Sequence, residues 1–390
     1  MKLQGSYNFI DGARRKISTP LPVQKIIKAR AYLDFNKGKY AQAVCNNVCE
    51  IAHFSFEKLQ SAFDWVTSNI AETDFALHFE LIDTNQFSAQ CEKTGDFPNR
   101  ACVVSVSLGC VPSLVGITNR MLHLQKSGPM MLAMQLQGDG PLEKWDPMDE
   151  PVGITVYDYG NELNTCESTA DAMVLMLFHE VSHALRGHPW IGGASGFDEE
   201  IHRRALESDA DWYAGYLFTK YELKKLEAKL SSCADDFRQI ALRLAVSTAT
   251  LNFALQLHSD KSLPIYHLPY VRTLDNLYGA EAAWVEEKTP GDFRDLMNSA
   301  YDTLSLTDRI VSYALPQWIR RDAPESIIDE KERLQITEPA LRSLYAEVSA
   351  MERGPVKRVH AKDYSQQAAW NSKVLLAQYR VSISMSPIPF

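Results

Sequence analysis

Apolar positions in the first part of the chain switch between two periods. Val23 to Phe35 and Phe54 to Asn69 repeat at helical spacing, whereas Phe75, Leu77, Phe79 and Leu81 alternate with Ala76, His78 and Glu80. A period of two puts alternate side chains on one face, so this stretch predicts a half-buried strand. Val104, Val106 and Leu108 alternate with Ser105 and Ser107 and predict a second strand. Pro112 then starts a helix to about Gln125, at a position where a missing N–H costs nothing.

Ser127 to Pro151 is rich in Gly, Pro and Met and reads as a long loop, a lid or a plain surface excursion. Val152 to Tyr157 is a short strand pattern. Ser168 followed by Asp171 resembles a capping box and predicts a helix running to about Gly187. Within it, Met173-Val174-Leu175-Met176-Leu177-Phe178 is apolar on every face, which predicts burial all round. Further helices are expected over Asp198 to Glu222 and Asp235 to Leu257. Beyond Leu274 the pattern is helical again, over Gly291 to Leu304, Thr307 to Leu315, Glu338 to Met351 and Tyr364 to Tyr379. Prolines 290, 316, 324 and 355 separate these segments. The expected class is α+β, divided as an N-terminal α+β region over 1–95, a core over 96–275 and a helical C-terminal region over 276–390.

The chain has 390 residues, 45% of them apolar, enough for a substantial core. Its net charge of -9 excludes the concentrated basic surface that a nucleic-acid partner requires. The N-terminal residues Met1 to Asn8 lack the pattern of a secretory signal, and no segment is an uninterrupted apolar span. Ile240 to His258 comes nearest but carries Arg243, Asn252 and Gln256. Seven scattered cysteines do not form a disulfide framework, and buried thiols of a cytoplasmic protein are expected, with no membrane partner.

The chemistry concentrates in Phe178-His179-Glu180-Val181-Ser182-His183-Ala184. Histidines four apart on a helix stand one above the other, so both rings reach a single metal. Glu180 lies about 100° round from His179, beside the metal but off it, where a general base belongs. A catalytic zinc usually takes three protein ligands and leaves one position open. The extended metzincin pattern would put glycine at 186 and histidine at 189, but the chain has Arg186 and Pro189 there. His188 is expected to sit against the free carbonyls at the helix end. The third ligand is expected on the next helix, in Glu207-Ser208-Asp209-Ala210-Asp211, with Glu207 on the metal and Asp211 orienting a zinc histidine. Small Ala210 and Ala214 would let the two helices approach. Tyr266 to Arg272 offers His267, Tyr270 or Arg272 as a donor to a developing oxyanion. Cys102 to Leu108 or Val152 to Tyr157 is the expected edge strand for an extended peptide.

His179-Glu180-x-x-His183, Glu207-x-x-Ala210-Asp211 and His267-x-Pro269-x-x-Arg272 resemble the gluzincin peptidases related to the HtpX and CAAX-prenyl-protease families. The stretch His179 to Pro189, with its trailing His-Pro, and the block Cys102 to Gln125 are similar to the soluble Lit-like phage-exclusion peptidases. The resemblance covers roughly residues 100 to 275. It implies a gluzincin-like zinc-peptidase core with a small mixed or antiparallel sheet, Zn2+ on His179, His183 and Glu207, and Glu180 as base. It also implies a defence role with cleavage of an intracellular protein, elongation factor Tu being that family's substrate, and a trigger or inhibitor partner. In that family histidine and proline are adjacent in the later segment, whereas Leu268 separates His267 from Pro269 here. Two other functions share the motif: a zinc-stapled binding or regulatory module, with Asp209 or His202 as a fourth ligand, and a zinc hydrolase acting on a non-peptide bond.

Overall fold

The computed structural model describes residues 5–11, 42–69, 75–84, 86–94, 101–118, 164–191, 199–227, 234–258 and 269–287. Within them four strands form one mixed sheet. β1 (Gly5–Asp11) pairs parallel with β2 (Ala76–Asp83), and β2 pairs parallel with β4 (Ala101–Ser107). β3 (Ala89–Thr94) runs antiparallel to β4, giving the order β1-β2-β4-β3. The sheet therefore draws strands from both sides of residue 95. β2 follows its alternation, with Leu77, Phe79 and Leu81 buried and His78 and Glu80 half-buried. β4 is buried at nearly every position, as a strand flanked on both sides should be.

A helix α1 (Gln42–Asn69) crosses from β1 to β2, starting well before Phe54. A short helix α2 covers 110–118, and Pro112 sits within its first turn. α3 (Thr165–Leu185) carries the two motif histidines. Its start corrects the expectation built on Ser168. Asn164 is the cap, its side-chain oxygen accepting the Glu167 N–H at 2.7 Å, and Ser168 lies buried one turn inside. From Ser168 to Phe178 every residue of α3 is buried, as the all-round apolar run requires. α4 (His188–Ile191) follows at once, then α5 (Glu199–Glu227) and α6 (Ala234–His258). The last described helix, α7 (Pro269–Glu287), turns the expected donor loop at Pro269 to Arg272 into a helical first turn. The helix expected over Val23 to Phe35, the loop and strand expected between Ser127 and Tyr157, and the segments after residue 287 lie outside the described residues.

One apolar core joins sheet and helices. Phe63 of α1 packs on Phe79 of β2 with ring centroids 5.4 Å apart. Trp65, Phe178 and Tyr221 form a ring cluster with centroids 5.7 to 6.0 Å apart, fastening α1 and α5 to α3. Burying each such ring contributes about 1.5–3 kcal/mol. A buried ionic cluster ties the same helices together. Lys58 donates to Glu167 and Asp171 at 2.6 Å each, Arg243 donates two bonds to Asp171 at 2.7 and 2.8 Å, and a third reaches Glu222 at 2.8 Å. Burial opposes ionisation of Asp171, but the two cations hold it well below the usual carboxylate range.

Helices α5 and α7 touch through backbone. A Cβ on Gly215 would fall 1.9 Å from the Asn276 carbonyl oxygen, and one on Gly279 would fall 1.8 Å from that of Trp212. Only glycine permits so close a crossing. Ala210 and Ala214, expected to let α5 approach α3, are buried, and Gly215 and Gly279 bring α5 against α7. Cys102, Cys110 and Cys166 are buried free thiols, and Cys91 is half-buried and also free. No helix among the described residues is long and apolar enough to cross a membrane.

Candidate metal centre

The C-terminal turns of α3 emerge from the core just as the chemistry begins. His179, Glu180 and His183 are half-buried, after a stretch from Ser168 to Phe178 that is wholly buried. Glu207 of α5 comes down on the same spot. Its Oε2 lies 3.0 Å from His179 Nε2, its Oε1 lies 3.6 Å from His183 Nε2, and the two Nε2 atoms are 3.2 Å apart. Donors around a tetrahedral ion with arms of about 2.1 Å stand about 3.4 Å from one another. The separations match, and among the described residues this is the one group of such donors close enough to hold a metal ion.

Protonation fits the same use. Burial raises Glu207, yet the two imidazoles outweigh it and hold the carboxyl well below its ordinary value, so it is ionised. Burial lowers His179, but Asp211 and Glu207 together push it up to about 10, so a proton occupies the place of a cation. Glu180 shifts the other way. Burial raises its carboxyl, more than His179 and His183 lower it, the direction that would suit a general base.

Asp211 stands beside His179, where an orienting partner was expected. Its Oδ1 is 2.8 Å from His179 Nδ1, a short but skewed contact off the N–H axis. Arg272 then grips Asp211 with a fork, Nε at 2.6 Å and Nη2 at 2.8 Å, both partners buried. Arg272 is thus linked to His179 through Asp211. Asn276, one turn on, donates to the Arg272 carbonyl and fixes that part of α7. Nearby, Ser208 donates to Asp275 at 2.6 Å, a second buried link between α5 and α7. His267 lies outside the described residues.

His188 overturns its expected role. Instead of capping carbonyls it turns back under the metal helix, with its Nδ1 2.8 Å from His183 Nδ1. Its Nε2 lies 3.0 Å from Asp209 Oδ2, and Arg186 clamps Asp209 with two bonds of 2.8 Å. Burial pushes His188 down to about 4, so it is neutral near pH 7. Asp209, committed to Arg186 and His188, is not a metal donor. The turn that makes this possible is Gly187 at φ 75°, in the left-handed region open to glycine. The sequence Arg186-Gly187-His188 supplies a turn residue there, but periodicity does not place a ring lying beyond the helix end.

A cavity of about 240 Å³ opens beside His179 and Glu180. Leu175, Met176, Leu251 and Leu255 make it largely apolar, and Arg272 and Asp211 border its inner side. Phe87 and His258 close the far wall, their rings stacked with centroids 5.0 Å apart, and Ser113 Oγ lies 3.0 Å from His258 Nε2. The strand at this edge is β3, whose Ala89 lines the cavity with Phe87 and Ser88. The Cys102 to Leu108 stretch proposed for that role is interior, because β4 is hydrogen-bonded to β2 on one side and β3 on the other. Set against protein-family models, curated proteins and solved structures, the chain matches none.

Proposed function

We propose that this chain is a zinc-dependent metallopeptidase with Glu180 as its general base. One observation carries the reading: His179, His183 and Glu207 stand at the separations of three corners of a tetrahedron, with the half-buried Glu180 carboxyl next to them. A zinc ion held there would polarise the scissile carbonyl and acidify water. Glu180 takes the proton from the attacking water and returns it to the leaving nitrogen, a role its raised carboxyl suits. Asp211 and the His188 arm keep the two imidazoles aimed at one point. The apolar cavity accommodates a large apolar residue next to the cleaved bond, and the edge of β3 presents backbone groups to an extended chain. A purely structural zinc needs a fourth protein ligand; of the two candidates, Asp209 is engaged elsewhere, and the side chain of His202 lies outside those described.

The substrate is proposed to be an intracellular protein, on the similarity of the His179 to Pro189 segment to the phage-exclusion peptidases. Elongation factor Tu is the first protein to try. The test compares cells producing the unaltered chain with cells producing Glu180→Gln, reading new protein N-termini across the proteome. New termini with the unaltered chain alone, from a variant that still holds stoichiometric zinc, support the proposal. A Glu180→Gln protein that keeps both its zinc and full cleavage removes Glu180 as base.

A further inference from the structure

The two imidazoles of the site are supported in different ways, and the difference follows from helix geometry. Glu207 and Asp211 are four apart on α5 and share its inner face, so Asp211 reaches His179 directly at 2.8 Å. Asp209 lies between them, about 200° round from Glu207, and faces away. It cannot touch His183. His188 spans that gap, one ring nitrogen on His183 and the other on Asp209.

The hydrogen positions in this chain follow from its far end. Arg186 only donates, and it holds both carboxylate oxygens of Asp209 at 2.8 Å, so Asp209 is an ionised acceptor. A carboxylate that only accepts requires the His188 proton to be on Nε2. That leaves a lone pair on His188 Nδ1, so the bond at 2.8 Å is donated by His183 Nδ1. The His183 lone pair is then on Nε2, the nitrogen that faces His179 and Glu207. Reversing any link turns an N–H toward the metal position. His183, Arg186, His188 and Asp209 are all buried or half-buried, so water does not readily substitute for a missing link.

We infer that His188 is a positioning residue that fixes His183 in its Nδ1–H tautomer, through Asp209 and Arg186, and so prepares the site to bind its metal. The inference rests on the metallopeptidase reading and adds a residue to it. It also explains the sequence Arg186-Gly187-His188: Arg186 anchors the acid, Gly187 at φ 75° reverses the chain, and His188 returns beneath the helix.

The test uses the full-length chain and measures zinc affinity by competition with a chromophoric chelator, together with the visible spectrum of the cobalt(II)-substituted protein. His188→Ala is expected to weaken zinc by about 10–100-fold, the range for losing a partner of a metal histidine. Two amide variants separate tautomer control from simple filling of space. His188→Asn places a carbonyl oxygen near the old Nδ1 and is expected to recover most of the affinity and the cobalt spectrum. His188→Gln places its amide near the old Nε2, keeps a partner for Asp209, and is expected to stay weak. Asparagine no tighter than glutamine overturns the inference, as does His188→Ala with unaltered affinity. Circular dichroism identifies a variant that has not folded, and the asparagine–glutamine comparison then decides. If the unaltered chain takes up no zinc, it is the metal reading itself that fails; zinc uptake that ignores His188 removes only this residue's role.

Discussion

Arg272 and Asp211 form a pair of charges beside the proposed metal donors and outside the donor set. Replacing Arg272 with leucine keeps the apolar stem's volume but removes two charge-assisted bonds of 2.6 and 2.8 Å to Asp211. Both groups are buried, at 8% and 5% side-chain exposure, so solvent does little to screen the loss. Breaking one side of such a pair leaves an uncompensated charge and costs about 3–5 kcal/mol. Asp211 keeps its contact with His179, which limits the damage and places the expected figure near the lower end. Metal affinity should fall by about 10–100-fold, because the group that orients His179 is itself no longer held. Urea unfolding of the zinc-free protein isolates the first effect from metal linkage, and chelator competition measures the second. The decisive comparison is the double variant Arg272→Leu with Asp211→Asn. If the stranded charge is the damage, removing that charge restores stability, and the double variant is more stable than Arg272→Leu alone by about 1–3 kcal/mol. Arg272→Lys should fall between, because an ammonium cannot span both carboxylate oxygens. Strictly additive losses would refute the reasoning and return Arg272 to an independent role at the cavity wall.

The remaining predictions address other parts of the molecule. In the metal-free protein His179 is protonated below about pH 10, so metal binding near pH 7 must displace that proton. Calorimetry in buffers of different ionisation enthalpy should show about one proton released from His179, with affinity rising as pH rises. Asp171→Ala leaves Lys58 and Arg243 facing each other without their shared acid and should cost about 3–5 kcal/mol in urea unfolding, with the zinc site intact. Because the Asp171 carboxyl is depressed in the folded chain, its contribution is present above the unfolded value of about 4 and disappears as pH falls further, visible as acid unfolding monitored by ellipticity. Gly279→Ala would bring a methyl within 1.8 Å of the Trp212 carbonyl, separating α7 from α5; a folded variant with unchanged zinc affinity would show that this crossing does not hold Arg272 in place. Leu251→Trp fills part of the cavity and should lower kcat/KM for peptides with a large apolar residue at the cleaved bond while leaving zinc content unchanged.

Much of the site was legible because its groups are spaced by the helix period. His179, Glu180 and His183 are fixed relative to one another by one turn of α3, and Glu207 and Asp211 by one turn of α5. What remained was the single tertiary fact that the two helices meet, and small alanines beside the acids anticipated a close approach. The missed parts depend on contacts with no period. Asp209 falls off the inner face of α5, so a pattern reading offers it only as a spare ligand; its actual use needs His188, which reaches it through one left-handed glycine after the helix has ended. The Arg272 fork depends on Gly215 and Gly279 letting α5 and α7 meet backbone to backbone, a packing match between segments some sixty residues apart. Alternation along β4 describes that strand's faces and says nothing about its neighbours, so it does not distinguish an edge from an interior strand, whereas β3, with only six residues and a charged end, alternates too weakly to stand out. Local order therefore places the donor atoms that could hold a metal ion, and non-local packing places the groups around them. A metal centre assembled this way should tolerate exchange of exposed residues on α5 yet fail when a glycine far from any ligand is changed.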